Sequence, residues 1–295
     1  QRQKNKILRE AVELAAKGNI EKSLKNISDI VEIKDDKQRR KSIADEYVGL
    51  PVEERESTLI VSGTNEAKRD INFAVRNGLD LSGWGMEVKI LVRRDMTKAE
   101  SRFSKHYHIG DIIQLERDYV KSGLKRNEYY KIESTGIGSN NHLTVEDNTG
   151  KQFIFNPMIH QKLSVYRPDI IEVSVGDLMR ITRNDNKLTV VNGDRVKIKE
   201  VQSDHIILTD DEKELKLPTN KPLHLDYAYA TTVHGSQGLT CDRVLIDAEA
   251  KSLTTAKDVY YVAISRARNE AKIYTDDTKK LPSAISRNRE KTAAL

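Results

Sequence analysis

Apolar positions in the first fifty residues recur at helical spacing. Ile7, Leu8, Val12, Leu14 and Ala15 form one stripe, and Gly18-Asn19 marks its stop. Ser23, Leu24, Ile27, Ile30 and Val31 continue as a second helix. A charged stretch from Lys34 to Lys41 then leads into Ile43, Ala44, Tyr47 and Val48, and Pro51 closes that helix. Thr58-Leu59-Ile60-Val61 is a short β-branched run, as a strand covered on both faces requires. The polar turn Ser62 to Asn65 and an amphipathic helix from Glu66 to Leu79 follow it. Strand, turn and helix in that order predict a unit of an α/β sheet. Ligands meet such sheets at the carboxyl ends of strands, which makes Thr64 and Asn65 candidate contacts.

The texture changes between about residues 88 and 222, where short alternating runs and turn residues dominate. One set opens at Gly110-Asp111-Ile112-Ile113 and another at Gly176-Asp177-Leu178-Met179. Each continues with a Lys-Ile strand, Tyr129 to Glu133 and Arg195 to Lys199. Each then carries a strand with an acidic turn, His142 to Asp147 and His205 to Asp210. Each ends in an alternating strand, Gln152 to Phe155 and Glu214 to Leu217, with Pro157 and Pro218 after it. The matching order predicts a duplicated small β-barrel. After Leu223 the α/β pattern resumes, with strands at Tyr227–Thr232, Arg243–Asp247 and Ala271–Thr275 and a helix from Thr255 to Arg268.

Composition narrows this little. The 295 residues are 32% charged and 37% hydrophobic, enough to bury a core. No apolar run approaches the roughly 18–20 residues that span a bilayer, so no membrane insertion is expected. Gln1-Arg2-Gln3-Lys4 has no apolar signal core, and the absence of an initiator Met in a helical pattern reads as a piece of a longer protein. A lone Cys241 excludes an intramolecular disulfide and fits a reducing cytoplasm. The net charge of +5 suits a phosphate backbone without requiring one.

Two segments concentrate the chemistry. Tyr229 to Gly238 is a polar loop after a strand, in which Gly235 and Gly238 allow close backbone approach. Thr232, His234, Ser236 and Gln237 supply uncharged hydrogen-bonding groups for phosphates and sugars. Tyr260 to Arg268 is an apolar helix face ending in Ser265, Arg266, Ala267 and Arg268. An arginine there can stabilise a transferring phosphoryl group, but taken alone the segment reads as two helix C-terminal cations satisfying the macrodipole. His106 and His108, at alternating spacing, read as one strand face rather than metal ligands, and no metal site is expected.

Together the two segments resemble motifs V and VI of superfamily-1 helicases, in the RecD-like branch. Thr58 to Arg76 resembles the first strand-turn-helix of that branch's second motor domain, and Arg2-Gln3 its motif IV. Arg9 to Val12, Thr58 to Val61, Leu225 to Ala230 and Tyr274 to Asp276 are similar to the helicase region of conjugative relaxase–helicases. RecD-like proteins usually carry a lysine where this chain has Gly235, and relaxase helicases can carry glycine.

The resemblance implies an α/β, RecA-like second motor domain, discontinuous in sequence, with two inserted SH3-like β-barrel modules. Its parts are residues 1–92 (motor, first part), 93–168 and 169–222 (β modules), 223–283 (motor, second part) and 284–295 (basic tail). It also implies Arg266 as arginine finger and Arg2 as γ-phosphate sensor, with Gln237 and Gly238 in the ATP-side loop. Thr64, Asn65, Thr232 and His234 would lie near single-stranded DNA. The partners would be single-stranded DNA, an absent first motor domain and the type IV secretion coupling protein. The setting would be the bacterial cytoplasm, with transfer to a recipient cell.

No Gly-x-x-x-x-Gly-Lys-Ser/Thr phosphate loop occurs, and Gly150-Lys151 runs into Gln152. ATP and Mg2+ are therefore expected only with the first motor domain, and this chain alone is not expected to hydrolyse ATP. Two other functions compete: a docking module for the secretion machinery, and a plain single-stranded DNA binder. Tyr129, Tyr130, Phe153 and Phe155 would stack bases in the latter, unless they form barrel core.

Overall fold

The computed structural model describes residues 3–136, 140–186, 188–210, 212–233, 235–236 and 239–287. The chain opens with α1 (Lys6–Ala16) and α2 (Ile20–Lys25). Asn5 starts α1 because its side chain accepts from the Ile7 and Leu8 amides, two of the donors a helix start leaves unmet. Ile30 and Val31 do not extend α2. They lie in strand β1 (Asp29–Glu32), whose four residues pair in parallel with Lys272–Thr275. Two adjacent β-branched residues fit a pleated edge better than a helix. Then come α3 (Asp36–Gly49), α4 (Val52–Glu56), β2 (Thr58–Ser62) and α5 (Asn65–Gly78).

Two antiparallel sheets follow. The first contains β3 (Met86–Arg93), β4 (Ile112–Leu115), β5 (Tyr129–Thr135), β6 (Leu143–Glu146), β7 (Gln152–Phe155) and β8 (Leu163–Val173), in the order β3-β8-β4-β5-β6-β7. The second contains β9 (Leu178–Ile181), β10 (Arg195–Val201), β11 (His205–Thr209), β12 (Glu214–Pro218) and β13 (Leu225–Tyr227), in the order β12-β11-β10-β9-β13. The boundary expected after residue 168 falls inside β8. Pro168 does not interrupt that strand because its partner Leu91 sends its own amide the other way, to Leu223 O at 2.9 Å. The boundaries expected at 92 and 223 shift likewise, since β3 and β13 pair with the modules. The stretch Tyr227–Thr232 is two strands rather than one.

The chain then returns through β14 (Ala230–Thr232), β15 (Cys241–Asp247), α6 (Lys257–Ile264), β16 (Ala267–Thr275) and α7 (Leu281–Ile285). The expected helix to Arg268 thus stops at Ile264, and β16 begins at Ala267. Strands from both sides of the insertion form one parallel sheet, β1-β16-β15-β2-β14, with β2 between β14 and β15. Every residue of β2 is buried. Leu59 and Val61 meet α1, α2, α6 and α7 on one face, while Ile60 meets α3 and α5 on the other. Burial on both faces explains the unbroken apolar run.

The duplication is visible bond for bond, 66 residues apart over its first half. Gly110 N donates to Ile132 O and Gly176 N to Ile198 O, both at 2.8 Å. Both glycines have positive φ, 88° and 94°. The isolated bridge Tyr119–Leu124 recurs as Asp185–Val190, and the bulge at Ile132/Ser134 recurs at Ile198/Glu200. Each buried Asp after the glycine pairs with an arginine from outside its turn: Asp111 with Arg94, and Asp177 with Arg76.

Arg76, on α5, ties the second module to the parallel sheet. Its Nε and Nη2 donate to Asp177 Oδ1 and Oδ2 at 2.8 and 3.0 Å, and its Nη1 to Glu172 at 3.1 Å. The Tyr229 hydroxyl and Ser174 amide also donate to the Asp177 carboxylate. The modules repeat this stacking between themselves. Arg195, on the second, donates to Glu56 O and Ala228 O of the parallel-sheet portion, while the equivalent Tyr129 meets His224 and Arg183 of the second.

Two outcomes follow. Arg76→Met leaves the Asp177 charge buried without its partner and is expected to cost about 3–5 kcal/mol in denaturant unfolding. A loss below about 1 kcal/mol would contradict this role. Burial, then the nearby Arg183 charge, pushes the His224 pKa down from 6.5 to about 4. The unfolded chain binds that proton near 6.5 and the folded chain resists it, so stability falls as pH drops through this window. NMR titration of the folded chain should place His224 near 4; a midpoint near 6.5 would contradict the packing.

Candidate functional site

The candidate residues within the described region divide between the two ends of the parallel sheet. Arg2, His234, Gln237 and Gly238 lie outside the described residues. Thr64, Asn65 and Thr232 come together at the carboxyl end. Thr232 is the register partner of Ser62, the last residue of β2. Thr64 caps α5, accepting from Ala67 N at 3.1 Å, and Asn65 is exposed on the first turn. The Thr232 hydroxyl accepts from Gly235 N at 3.3 Å and its carbonyl from Ser236 N at 2.9 Å. The Thr64 and Thr232 hydroxyl protons are not used in these bonds. The pair therefore offers neutral donors beside a helix N-terminus, chemistry suited to a phosphodiester.

Beside them, β15 ends in a buried ionic cluster that the sequence reading missed. Arg39, fully buried, donates to Asp247 at 2.8 Å and Glu249 at 2.7 Å; Arg40 joins Glu249 at 3.1 Å and also pairs with Asp70. Burial pushes the Asp247 carboxyl above its ordinary range and Arg39 opposes it. An apolar strand ending in Asp was legible; its partners, some two hundred residues earlier, were not.

Arg266 lies at the amino end, in the turn between α6 and β16. Its Nε donates to Val262 O at 3.1 Å and its Nη1 to Leu239 O at 3.4 Å. It is only 9% exposed. The Val262 bond satisfies a terminal carbonyl of α6, so Arg266 does serve its helix. The Leu239 bond is separate and reaches the loop before β15.

Gln3 braces this turn. Its side-chain amide donates to Ser265 O at 3.1 Å and Ala267 O at 3.4 Å, the carbonyls flanking Arg266. Lys4 and Asn5 amides both donate to Arg268 O. The sequence immediately after Arg2 is thus fixed beside Arg266. Arg268 is more exposed and pairs with Asp242 at 3.7 Å.

Other candidates fall away. Tyr130 and Phe155 are core at 3% and 1% exposure, Phe153 packs against them, and Tyr129 is held by His224 and Arg183. His106 and His108 are not on a strand. His106 ends a short 3-10 turn, and the His108 amide donates to Asp111. Among the described residues no group of three His, Cys, Asp or Glu side chains is placed to hold a metal ion, and no helix is long and apolar enough to cross a membrane.

Known proteins bear out the helicase resemblance. Residues 171–275 match the model of the viral superfamily 1 RNA helicase core domain. The chain is 28% identical over 274 residues to the multifunctional conjugation protein TraI of Escherichia coli, across 86% of this chain and 15% of that protein. The conjugal transfer protein TraA of Sinorhizobium fredii, so described as probable, is 33% identical over 103 residues, 34% of this chain and 9% of that protein. The chain thus spans a small part of its curated relatives. Among solved structures, one of Pif1 helicases at forked duplex DNA aligns over 95% of this chain and 49% of its own, with 14% identity and a TM-score of 0.45.

Thr64→Ala removes the α5 cap and is expected to cost about 1 kcal/mol in thermal unfolding, while Thr64→Ser restores it. Unchanged stability in the alanine variant would show that the cap does not hold the helix start.

Proposed function

We propose that this chain is the second motor domain of a superfamily-1 DNA helicase of the conjugative relaxase type. The antiparallel sheets are its SH3-like insertions. It completes an ATP site together with a first motor domain on the same protein. The carrying observation is the separation of candidate residues between opposite ends of one sheet, with similarity to TraI as support. The amino end, with Arg266, faces nucleotide, and Arg2 is assigned to the same site by the motif it resembles. The carboxyl end, with Thr64, Asn65, Thr232 and His234, faces single-stranded DNA. Gln237 and Gly238 belong to the loop joining the two ends.

ATP and Mg2+ would be held mainly by the first motor domain. ATP supplies the phosphoryl group and the metal neutralises its oxygens. The residues of this chain act on charge and position. Among the described residues Arg266 donates to two neutral carbonyls. Phosphate oxygens carry full negative charge and accept from a guanidinium more strongly than a carbonyl does, so domain closure can draw the guanidinium out. Closure and opening then move the carboxyl-end groups along the DNA strand.

A second reading has one observation in its favour. Val120, Ile154, Met158 and Ile159 of the first module are 87%, 64%, 54% and 62% exposed. The second module carries Asn186, Lys216, Asn220 and Lys221 at the matching positions. The shared sheet therefore does not demand apolar residues there, and the face suits a protein partner, such as the type IV secretion coupling protein.

The test joins this chain to its first motor domain. Arg266→Ala is expected to lower DNA-stimulated ATP turnover by about 10³-fold or more, with single-stranded DNA affinity nearly unchanged. Arg266→Lys is expected not to rescue turnover, lacking the planar fork. Full turnover in the alanine variant would reject the assignment.

A further inference from the structure

Arg180 belongs to β9, yet its guanidinium leaves the second module. Nη1 donates to Gly235 O at 3.1 Å and approaches Thr231 Oγ1 at 3.4 Å. The matching residue of the first module is Gln114, which donates to Asn127 O inside its own module. A neutral side chain therefore satisfies the sheet at this position. Arg180 Nε is buried with no partner among the described residues, a cost that module stability alone does not explain.

Gly235 is fitted to the contact. A Cβ there would stand 2.9 Å from Arg180 Nη1 and 2.4 Å from Thr231 Oγ1. From this point hydrogen bonds run forward along the loop. Ser236, fully buried, donates its hydroxyl to Val233 O at 2.7 Å. Leu239 N donates to Ser236 O at 3.1 Å, and Leu239 O accepts from Arg266 Nη1. A short series of contacts thus links a β9 side chain to Arg266.

We propose that Arg180 is a positioning residue: it transmits the tilt of the second β module to the loop that holds Arg266 at Leu239. Rotation of the module on the motor sheet moves the Gly235 carbonyl with Arg180. The loop then loosens or tightens at Leu239, and Arg266 is released or retained. The catalytic consequence rests on the finger assignment above; the coupling itself does not.

Hydrogen exchange of this chain, read by mass spectrometry, tests it. Arg180→Gln is expected to speed exchange of the hydrogen-bonded Gly235, Ser236 and Leu239 amides roughly tenfold while β10 and β11 stay protected. Arg180→Lys should keep part of the protection, and Gln114→Ala should leave the loop unchanged. Gly235→Ala should loosen the same loop, and adding Arg180→Gln to it should add nothing further. Unchanged loop exchange in Arg180→Gln, equal loss of protection throughout the second module, or simple additivity with Gly235→Ala would each overturn the coupling. In the rejoined protein, Arg180→Gln should lower DNA-stimulated kcat with little change in DNA affinity. If exchange responds but Arg266→Ala leaves turnover intact, the finger fails and the coupling stands; the opposite pattern removes the coupling alone.

Discussion

The buried pair of Arg76 and Asp177 fixes how this molecule is assembled. Arg76 stands near the end of the helix that follows β2, and Asp177 in the tight turn that opens the second β module. Neither charge is tolerable in that interior without the other. Tyr229 and Ser174 complete the carboxylate's hydrogen bonds, so the pair is satisfied as well as neutralised. Because Tyr229 leads directly into β14, the same cluster sets where the chain re-enters the parallel sheet. An insertion longer than a hundred residues can thereby leave β2 and return beside it. The equivalent pair Arg94 and Asp111 lies in the first module, so a local turn device has been reused at two levels of the assembly.

Consequences of this geometry reach both ends of the sheet. β14 is the edge strand, and its exit carries Thr232 to the turn after β2. The following loop crosses to the start of β15, where Arg266 meets it at Leu239. A residue touched at one end is therefore joined, through few residues, to an arginine at the other. Packed, hydrogen-bonded contacts of this kind can pass a displacement without large rearrangement. Arg266 does not stand open to solvent, and any phosphate it binds must compete with two backbone carbonyls.

Much of this organisation was legible in the sequence. The duplication could be read because its glycines, acidic turns and strands keep their order, and the bulges and bridges obey the same spacing. The return to the parallel sheet was legible from β2 and β15, whose apolar runs require two covered faces. Short elements were less clear. Ile30 and Val31 fit a helical stripe as well as a four-residue strand, and only pairing with β16 decides between them. The break between β13 and β14 has no turn signature, since the strands separate to join different sheets. Arg39 and Arg180 looked like ordinary surface residues because their partners are distant in sequence. Of the candidate site, the grouping of Thr64 with Thr232 came with the family resemblance; the burial of Arg266 was not legible.

The proposed role has this chain supply half of a nucleotide site. The most direct measurement is DNA-stimulated ATP turnover of the first motor domain, with and without this chain joined to it. Little turnover is expected from the first domain alone and robust turnover from the pair. Equal turnover in the absence of this chain would contradict it.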